Sequence, residues 1–565
     1  MSTASFLDYT PTALAFGTSG LRGLVKDITD LESYINVSGT LHYLLDSGDI
    51  KRGSHVVLAG DLRPSTDRIM RACAHAIVDL GGHVENAGKI PTPALIARCL
   101  ASGRAGVMVT GSHIPFDRNG IKINKSSGEV LKTDEPGITR QVERVRAAEY
   151  GKTADASAFD AAGMLKRSSK LPPIENGAEE GYIRRFVGSF ASGGLSGLRV
   201  LVYQHSAVGR DILPRILSEL GADVCTASRS ATFVPIDTEN IADEDLDRLE
   251  RLAVAAEGDG RLDAIVSTDG DSDRPLMIAM LPAAKVEARG RRVRFLSGDL
   301  LGIVVAEYLG ADAAAVPISS NDAIERRMGE RGVFVRTTKI GSPYVVAALN
   351  EMRSGGIYRR IVGWEANGGF LTQSDIPLAA GILPALPTRD STLPILANLF
   401  AANEQRIGLA ALWSRLPARF GRAGLCDNVP VAVSQSILAA LTPSEGPVEA
   451  TFEAGGRVYG GRGPGAATEP LVGAVAAAWL ERKATLERFF TMGLGSDDIV
   501  RINVLDGARI FFTSGDVAHV RPSGNAPQLR IYANSDSQAR ADRIVGLALE
   551  EPQGILRRMV SAFAR

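Results

Sequence analysis

The sequence predicts a multidomain α/β protein: three similar mixed α/β domains followed by a C-terminal domain of α+β type. Three observations carry that expectation. At 565 residues the chain exceeds one ordinary core, since domains run to roughly 100–200 residues. A strand, a helix, a glycine-marked corner and a second strand recur three times. The last part of the chain abandons that pattern for the strict alternation of paired antiparallel strands.

The repeats come in order along the chain. The first is HVVLAGDLRPSTDRIMRACAHAIVDLGGHVENAG (55–88), the second LRVLVYQHSAVGRDILPRILSELGADVCTA (198–227) and the third GADAAAVPISSNDAIERRMGERGVFVRTTKIG (310–341). Their corners DLGGHV, ELGADV and ERGVFV put Gly just past a helix, where a left-handed backbone costs least. Between the first two, residues 147–169 are small and polar and read as a connection. Near 281–297 the chain is basic and turn-rich, and near 417–430 it carries Gly and Pro breaks. Four domains are expected: 1–165, 175–296, 297–418 and 425–565. In the last, IVRINVLDGARIFFTSGDVAHVRPSGNAPQLRIYANS alternates as strands, and the closing segment from DSQARAD onward reads as helix.

Composition narrows the function classes. A hydrophobic fraction of 45%, a charged fraction of 22% and a formal net charge of −1 give no overall attraction to nucleic acid or to a membrane surface. Neither partner is expected. The four cysteines, Cys73, Cys99, Cys225 and Cys426, lack CxxC spacing and read as free thiols of a reducing compartment. The N-terminal MSTASFLDYTPTALAFG has no basic flank or apolar core of a signal peptide, and no run approaches the ~18 apolar residues of a membrane span. The expectation is a cytoplasmic monomer or homodimer. LVGAVAAAWL (471–480) reads as a core-helix segment.

The clearest chemical motif is IVSTDGDSDRP (265–275), a buried strand running into Asp269, Asp271 and Asp273. At alternate positions of an extended segment three carboxylates project to one side and suit one hard cation, while Gly270 and Ser272 keep the loop slim. An EF-hand is excluded, because Arg274 stands where its loop needs Gly and Met280 where it needs Glu. The competing reading is an acidic surface turn, but strand ends of α/β proteins are where ligands sit.

A second strand ends in VMVTGSHIPFDRNGIKI (107–123). Ser112 offers a hydroxyl that, once phosphorylated, carries nearly two negative charges toward the same cation. His113 and Lys122 can move protons or hold phosphate, and Asn119-Gly120 reads as the turn returning the chain. FGTSGLRG (16–23) sets glycines around Arg22, a guanidinium for an anion. It is not a P-loop, nor is Gly151-Lys152-Thr153, which has Arg146 where a Walker motif needs Gly.

HVRPSGNAPQLRIYA (519–533) gathers Arg521, Ser523, Gly524 and Asn525 in a turn, with Arg530 on the returning strand, as a phosphate cradle. VGWEANGGF (362–370) presents Glu365 and Asn367 on a glycine-rich loop suited to vicinal sugar hydroxyls. Nearby Lys339 is a further candidate. A hairpin tip and an Asn-Gly turn would account for these two stretches taken alone, and a solvated side chain for Lys339.

Together, in this order, the motifs resemble those of the α-D-phosphohexomutases, the phosphomannomutase and phosphoglucomutase group. TGSHIP resembles the family's phosphoserine loop, DGDSDR its magnesium loop, GWEANGG its sugar-selecting loop and RPSGNAPQLRIY its phosphate-binding loop. The resemblance runs from Arg22 to about Tyr532. It implies four domains around a central cleft and a phosphoserine at Ser112. Mg²⁺ would be held by Asp269, Asp271 and Asp273 together with Ser112. Arg22, His113, Lys122 and Arg274 would surround the transferring phosphate, Lys122 as proton carrier, and a hexose 1,6-bisphosphate would act as intermediate and activator. Glu365 and Asn367 would hold the sugar, and Arg521, Ser523 and Asn525 the phosphate that is not transferred.

Three departures stand out: Asn367 where Ser is common, Ile114 in place of Asn, and Asn525-Ala526 in place of Thr-Glu. The Glu-x-Asn-Gly form is also similar to that of eukaryotic phosphoacetylglucosamine mutases. The expected activity is interconversion of hexose 6-phosphate and hexose 1-phosphate, with mannose first and glucose or N-acetylglucosamine as alternatives. A metal-dependent sugar phosphatase and a non-catalytic phosphosugar-binding protein are the rival classes.

Overall fold

Each of the three repeats forms a strand, a helix and a second strand parallel to the first. They comprise His55–Gly60, Thr66–Asp79 and His83–Lys89; Arg199–His205, Ile212–Glu219 and Asp223–Arg229; and Ala313–Pro317, Ala323–Glu330 and Phe334–Thr338. The corner glycines Gly81, Gly221 and Gly332 have φ of +81°, +100° and +69°. Any other residue would be strained there, which is why the helix stops at that point.

The computed structural model describes residues 6–14, 16–17, 20–167, 170–239, 241–281, 290–443, 446–453, 455–461, 468–494, 498–522 and 527–564. They pack as two units, Met1–Ala311 with Gly341–Trp413, and Asp312–Ile340 with Ser414–Arg565. Among them no helix is long and apolar enough to cross a membrane, and all four cysteines are free.

In the first unit a seven-stranded sheet runs in the order Phe16–Gly17, Gly20–Leu24, Arg118–Lys125, Ala105–Val109, His55–Gly60, His83–Lys89, with Gly128–Glu129 paired to Arg118–Lys125. Helix Asp30–Asp46, N-capped by the Thr29 hydroxyl accepting from the Glu32 amide, crosses helix Glu135–Tyr150 where Gly39 meets Val142. A Cβ on Gly39 would lie 2.5 Å from the Val142 Cα. A five-stranded sheet follows in the order Val293–Phe295, Pro275–Met280, Ala264–Thr268, Arg199–His205, Asp223–Arg229. Strands Ile361–Trp364, Phe370–Thr372 and Leu386–Asp390 form an antiparallel set in the same unit, while the third repeat belongs to the second unit. The segment 297–418 therefore contributes to both units.

The C-terminal part is an all-antiparallel eight-stranded sheet, ordered Phe420–Cys426, Leu529–Ser535, Val517–Pro522, Ala508–Phe512, Ile499–Asn503, Glu449–Phe452, Val458–Gly461, Glu469–Pro470. It shares one apolar core with helices Val431–Leu441, Gly473–Leu494, Gln538–Leu549 and Ile555–Phe563.

Two local expectations need revision and two gain detail. The stretch 417–430 contains strand Phe420–Cys426, paired over seven residues with Leu529–Ser535, so its glycines sit inside a sheet. In 471–480 Trp479 lies in the core with Leu471 and Ala476 packed against it, while Val472, Val475 and Leu480 are exposed, so the segment meets the core along one edge only. The 147–169 connection buries Phe159 against Tyr34 and His75. Asn119-Gly120 is no turn, since both lie in strand Arg118–Lys125. Gly120 is needed because a Cβ there would sit 2.4 Å from the Leu21 carbonyl oxygen and 2.8 Å from that of Thr110, a close approach of three backbones.

Candidate active site

Two strand ends of the first unit meet at Ser112. Strand Ala105–Val109 leads into the Ser112 loop, and hairpin Ala264–Thr268/Pro275–Met280 carries the three aspartates at its tip. The Ser112 hydroxyl donates to Asp269 Oδ2 at 2.6 Å and lies 3.4 Å from His113 Nδ1. A Cβ on Gly270 would lie 2.6 Å from the Ser112 carbonyl oxygen, so glycine there is the condition for the two loops to touch.

The Asp269–Asp271–Asp273 carboxylates are fully buried, and one oxygen from each lies within 4.8 Å of the others. They converge because the loop turns, not because it is extended: Ser272 has φ +56°, and the Asp273 and Arg274 amides donate back to Asp269 Oδ1 at 3.1 and 3.2 Å. Thr92 Oγ and Lys122 Nζ donate to Asp271 Oδ2, both at 2.7 Å. Lys122 also reaches Asp273 Oδ2 at 3.2 Å. Asp271 Oδ1 and Asp273 Oδ1 are buried without a hydrogen-bond partner. Carboxylate oxygens buried without a hydrogen bond at this spacing fit a hard divalent cation, although Asp273 Oδ1 also lies 3.6 Å from Arg274 Nε.

The electrostatics agree with an anion beside a cation site. Burial, then Asp271 and Asp273, push the Asp269 carboxyl well above its usual range. Burial alone would raise Asp271 as well, but Lys122 and the Thr92 hydroxyl outweigh it and hold that carboxyl low. Burial opposes the charge on Lys122, yet Asp271 and Asp273 raise its ammonium above the ordinary value. Around His113 the positive charges repel. His113 is pushed down to about 2 by Arg274, burial and Arg22, and Arg22 is lowered to about 10 by burial, Arg274 and Arg389. Guanidiniums close enough to repel one another in this way would be relieved by an anion between them.

Of the residues singled out from sequence, Arg22, Ser112, His113, Lys122, Asp269, Asp271, Asp273, Arg274, Glu365 and Asn367 belong to the first unit. Glu365 and Asn367 are buried. The Asn367 side-chain oxygen is engaged by the Gly369 amide at 3.0 Å. Lys339, Arg521 and Arg530 belong to the second unit, where Lys339 is exposed. Arg521 and Arg530 face each other across the ladder, each with a buried Nε lacking a hydrogen bond, although Arg521 Nε lies 3.6 Å from the Asp506 carboxylate. Ser523, Gly524 and Asn525 lie outside the described residues.

Two arginines escaped sequence reasoning. Arg63, fully buried, donates to the carbonyls of Ser112 (2.8 Å), Ile114 (2.6 Å), Pro115 (2.6 Å) and Arg118 (3.0 Å). It pairs with Asp61 at 3.1 Å and stacks on Phe233, 3.9 Å from the ring centre. Asp61 Oδ2 in turn accepts from Thr110 Oγ at 2.7 Å. This clamp holds Ser112 at φ +57°. Its signal was present, since Asp61 directly follows strand His55–Gly60, the same strand-end position that exposed Asp269. Arg389 contacts both Asp273 and Glu365, and no motif marks it.

The comparisons with known proteins agree. Models described as phosphoglucomutase/phosphomannomutase match over residues 13–149 (alpha/beta/alpha domain I), 297–420 (alpha/beta/alpha domain III) and 469–549 (C-terminal domain). A phosphomannomutase of Sinorhizobium fredii (strain NBRC 101917 / NGR234) is 36% identical over 94% of this chain and 98% of its own length. A phosphomannomutase of Salmonella muenchen is 34% identical over 95% of each chain. A phosphoglucosamine mutase of Parafrankia sp. (strain EAN1pec) is 29% identical over 81% of this chain and 94% of its own. Among solved structures, a phosphoglucomutase/phosphomannomutase family protein from Burkholderia thailandensis superposes with a TM-score of 0.63 at 16% identity, covering 97% of both chains. The Paramecium phosphoglucomutase pp63/parafusin, in its open form, gives 0.60 at 15% identity over 98% of this chain and 97% of its own. These two show the likeness of fold.

Proposed function

The chain belongs to the α-D-phosphohexomutase family, the phosphoglucomutase/phosphomannomutase group, and from that premise we propose that it is a phosphomannomutase working through phosphorylated Ser112. The sugar rests on the two full-length phosphomannomutase relatives, at 36% and 34% identity, against 29% for the phosphoglucosamine mutase. The observation that carries the mechanism is the 2.6 Å contact between the Ser112 hydroxyl and one carboxylate of the buried triad.

In the forward half-reaction the bond between phosphorus and Ser112 Oγ breaks while a free hydroxyl of the hexose monophosphate bonds to phosphorus. The proton lost by that hydroxyl ends on Ser112 Oγ. Lys122, held charged by its two carboxylates, can return a proton to the serine and be recharged from the sugar. Arg22, Arg274 and the neutral imidazole of His113 hold the equatorial oxygens of the phosphoryl group as charge spreads over them. Asp269, Asp271, Asp273 and Ser112 would hold Mg²⁺, which when bound neutralises phosphoryl charge. The product is a hexose 1,6-bisphosphate, and its second phosphate re-forms phospho-Ser112 in the reverse half-reaction. Glu365 and Asn367 grip the sugar. Arg521, Ser523, Gly524, Asn525, Arg530 and Lys339 form the phosphate grip, and the division into domains 1–165, 175–296, 297–418 and 425–565 goes with this reading.

The test is Ser112→Ala. Mutase activity on mannose 1-phosphate with added bisphosphate should vanish while mannose 1-phosphate still binds; normal turnover would defeat the mechanism. Parallel assays on glucose and N-acetylglucosamine 1-phosphates decide the sugar, and release of free phosphate would mark a phosphatase instead.

A further inference from the structure

One buried guanidinium is shared by the two loops that the proposed reaction must keep in register. Arg389, near the end of strand Leu386–Asp390, is 5% exposed. Its Nε and Nη2 donate to Asp273 Oδ2 at 3.1 and 2.8 Å, and its Nη1 donates to Glu365 Oε2 at 3.0 Å. One face of the fork thus holds the carboxylate triad and the other holds the loop of Glu365 and Asn367.

That loop is shaped around the arginine. A Cβ on Gly369 would lie 2.6–2.8 Å from Arg389 Cδ, Cγ and Cβ. Gly368, at φ +83°, packs so closely that its own Cβ would lie 2.8 Å from Cγ of Pro275, the residue after Arg274. The paired glycines read from sequence as a turn therefore let the loop wrap onto the Arg389 stem and onto the end of the triad loop. Arg389 is fixed from behind as well, because its neighbour Thr388 donates to Glu129 Oε1 at 2.7 Å.

We propose that Arg389 is a positioning residue that sets the sugar selectivity of the site, by fixing the Glu365 carboxylate at one distance and angle from the phosphoryl-transfer centre. This rests on the reading that Glu365 contacts the hexose. With Oε2 taken by the fork, Oε1 is the oxygen left to accept from a sugar hydroxyl. Mannose and glucose differ in one hydroxyl configuration, and a carboxylate held rigidly accepts from one configuration while a loosened one accepts from either. Lysine cannot replace the arginine. An ammonium donates from one point and can bridge only carboxylates that converge on it, as Lys122 does, whereas the planar fork holds two carboxylates on separate edges in fixed geometry.

The test compares Arg389→Lys, Gly369→Ala and Glu365→Gln on mannose 1-phosphate and glucose 1-phosphate. Losing one charge-assisted hydrogen bond to Glu365 should raise KM for mannose 1-phosphate about tenfold in Arg389→Lys, while kcat changes far less. The ratio of kcat/KM between the two sugars should fall toward one. Calorimetric binding of mannose 1-phosphate with no divalent ion added should weaken by a similar factor, and Gly369→Ala, which displaces the arginine by crowding, should shift the ratio the same way. If both variants lower kcat equally for the two sugars and leave the ratio unchanged, Arg389 is structural and the proposal is overturned. If Glu365→Gln leaves binding and ratio untouched, the sugar reading of Glu365 fails first and takes the proposal with it.

Discussion

Arg63→Lys isolates what the clamp on the Ser112 loop contributes. Lysine keeps a positive charge against Asp61, so the buried pair survives, but one ammonium cannot serve the four carbonyls of Ser112, Ile114, Pro115 and Arg118 that the guanidinium holds at 2.6–3.0 Å. Freed of that grip, Ser112 is expected to relax from φ +57°. A non-glycine residue in the left-handed region stores about 1–3 kcal/mol, and that is the energy the variant would have to find again to reach the productive geometry. At about 1.4 kcal/mol per tenfold, kcat should fall between about 5-fold and 150-fold, with KM little changed because no sugar contact is touched. The assay is steady-state mutase turnover of folded protein, checked by circular dichroism, together with the rate of Ser112 phosphorylation by a hexose 1,6-bisphosphate. Turnover within twofold of wild type in a folded variant would refute the idea that the clamp sets the serine's conformation.

Other outcomes follow from the same geometry. Asp271→Asn removes one carboxylate of the triad and the partner of Lys122; divalent-ion affinity should drop at least about tenfold, read by titration with Mn²⁺, and unchanged affinity would displace the proposed metal site. Gly120→Ala pushes a Cβ against two backbone oxygens at 2.4 and 2.8 Å and should cost about 1–3 kcal/mol of stability, measured by denaturant unfolding of the first unit's transition. His519 is buried, and burial pushes its imidazole down to about 3. The unfolded chain, titrating near 6.5, then takes up the proton first. Stability of the second unit should fall as pH drops from about 6.5 toward 3, by about 1.4 kcal/mol per unit for this group, and His519→Gln should flatten that slope by one proton.

How far the sequence could be read depended on whether a signal was local. The parallel repeats and their glycine corners were legible, because a positive-φ glycine after an amphipathic helix is a short-range cause. Asp269, Asp271, Asp273 and Ser112 were legible because strand ends announce ligand sites. The contents of the turns were not. Gly120 and Gly369 looked like turn residues, yet each is small because a distant backbone or side chain passes within van der Waals range, which no window along the chain can register. Asn119 was misread for the same reason: its amide donates to Ser65 Oγ at 2.8 Å and to Thr66 Oγ at 3.2 Å, a contact made to the start of helix Thr66–Asp79. Arg63 and Arg389 act on partners that are respectively 49–55 and 24–116 positions away, and an isolated arginine carries no mark of such reach.

The central claim is that Ser112 carries the phosphoryl group that a hexose phosphate accepts. Protein incubated with mannose 1,6-bisphosphate labelled in its phosphates should be digested and its peptides weighed before and after a chase with unlabelled mannose 6-phosphate. The expected result is one phosphoryl group on the peptide containing Ser112, lost in the chase with the label recovered in mannose bisphosphate. Label on another residue, or label recovered as free phosphate, would contradict it.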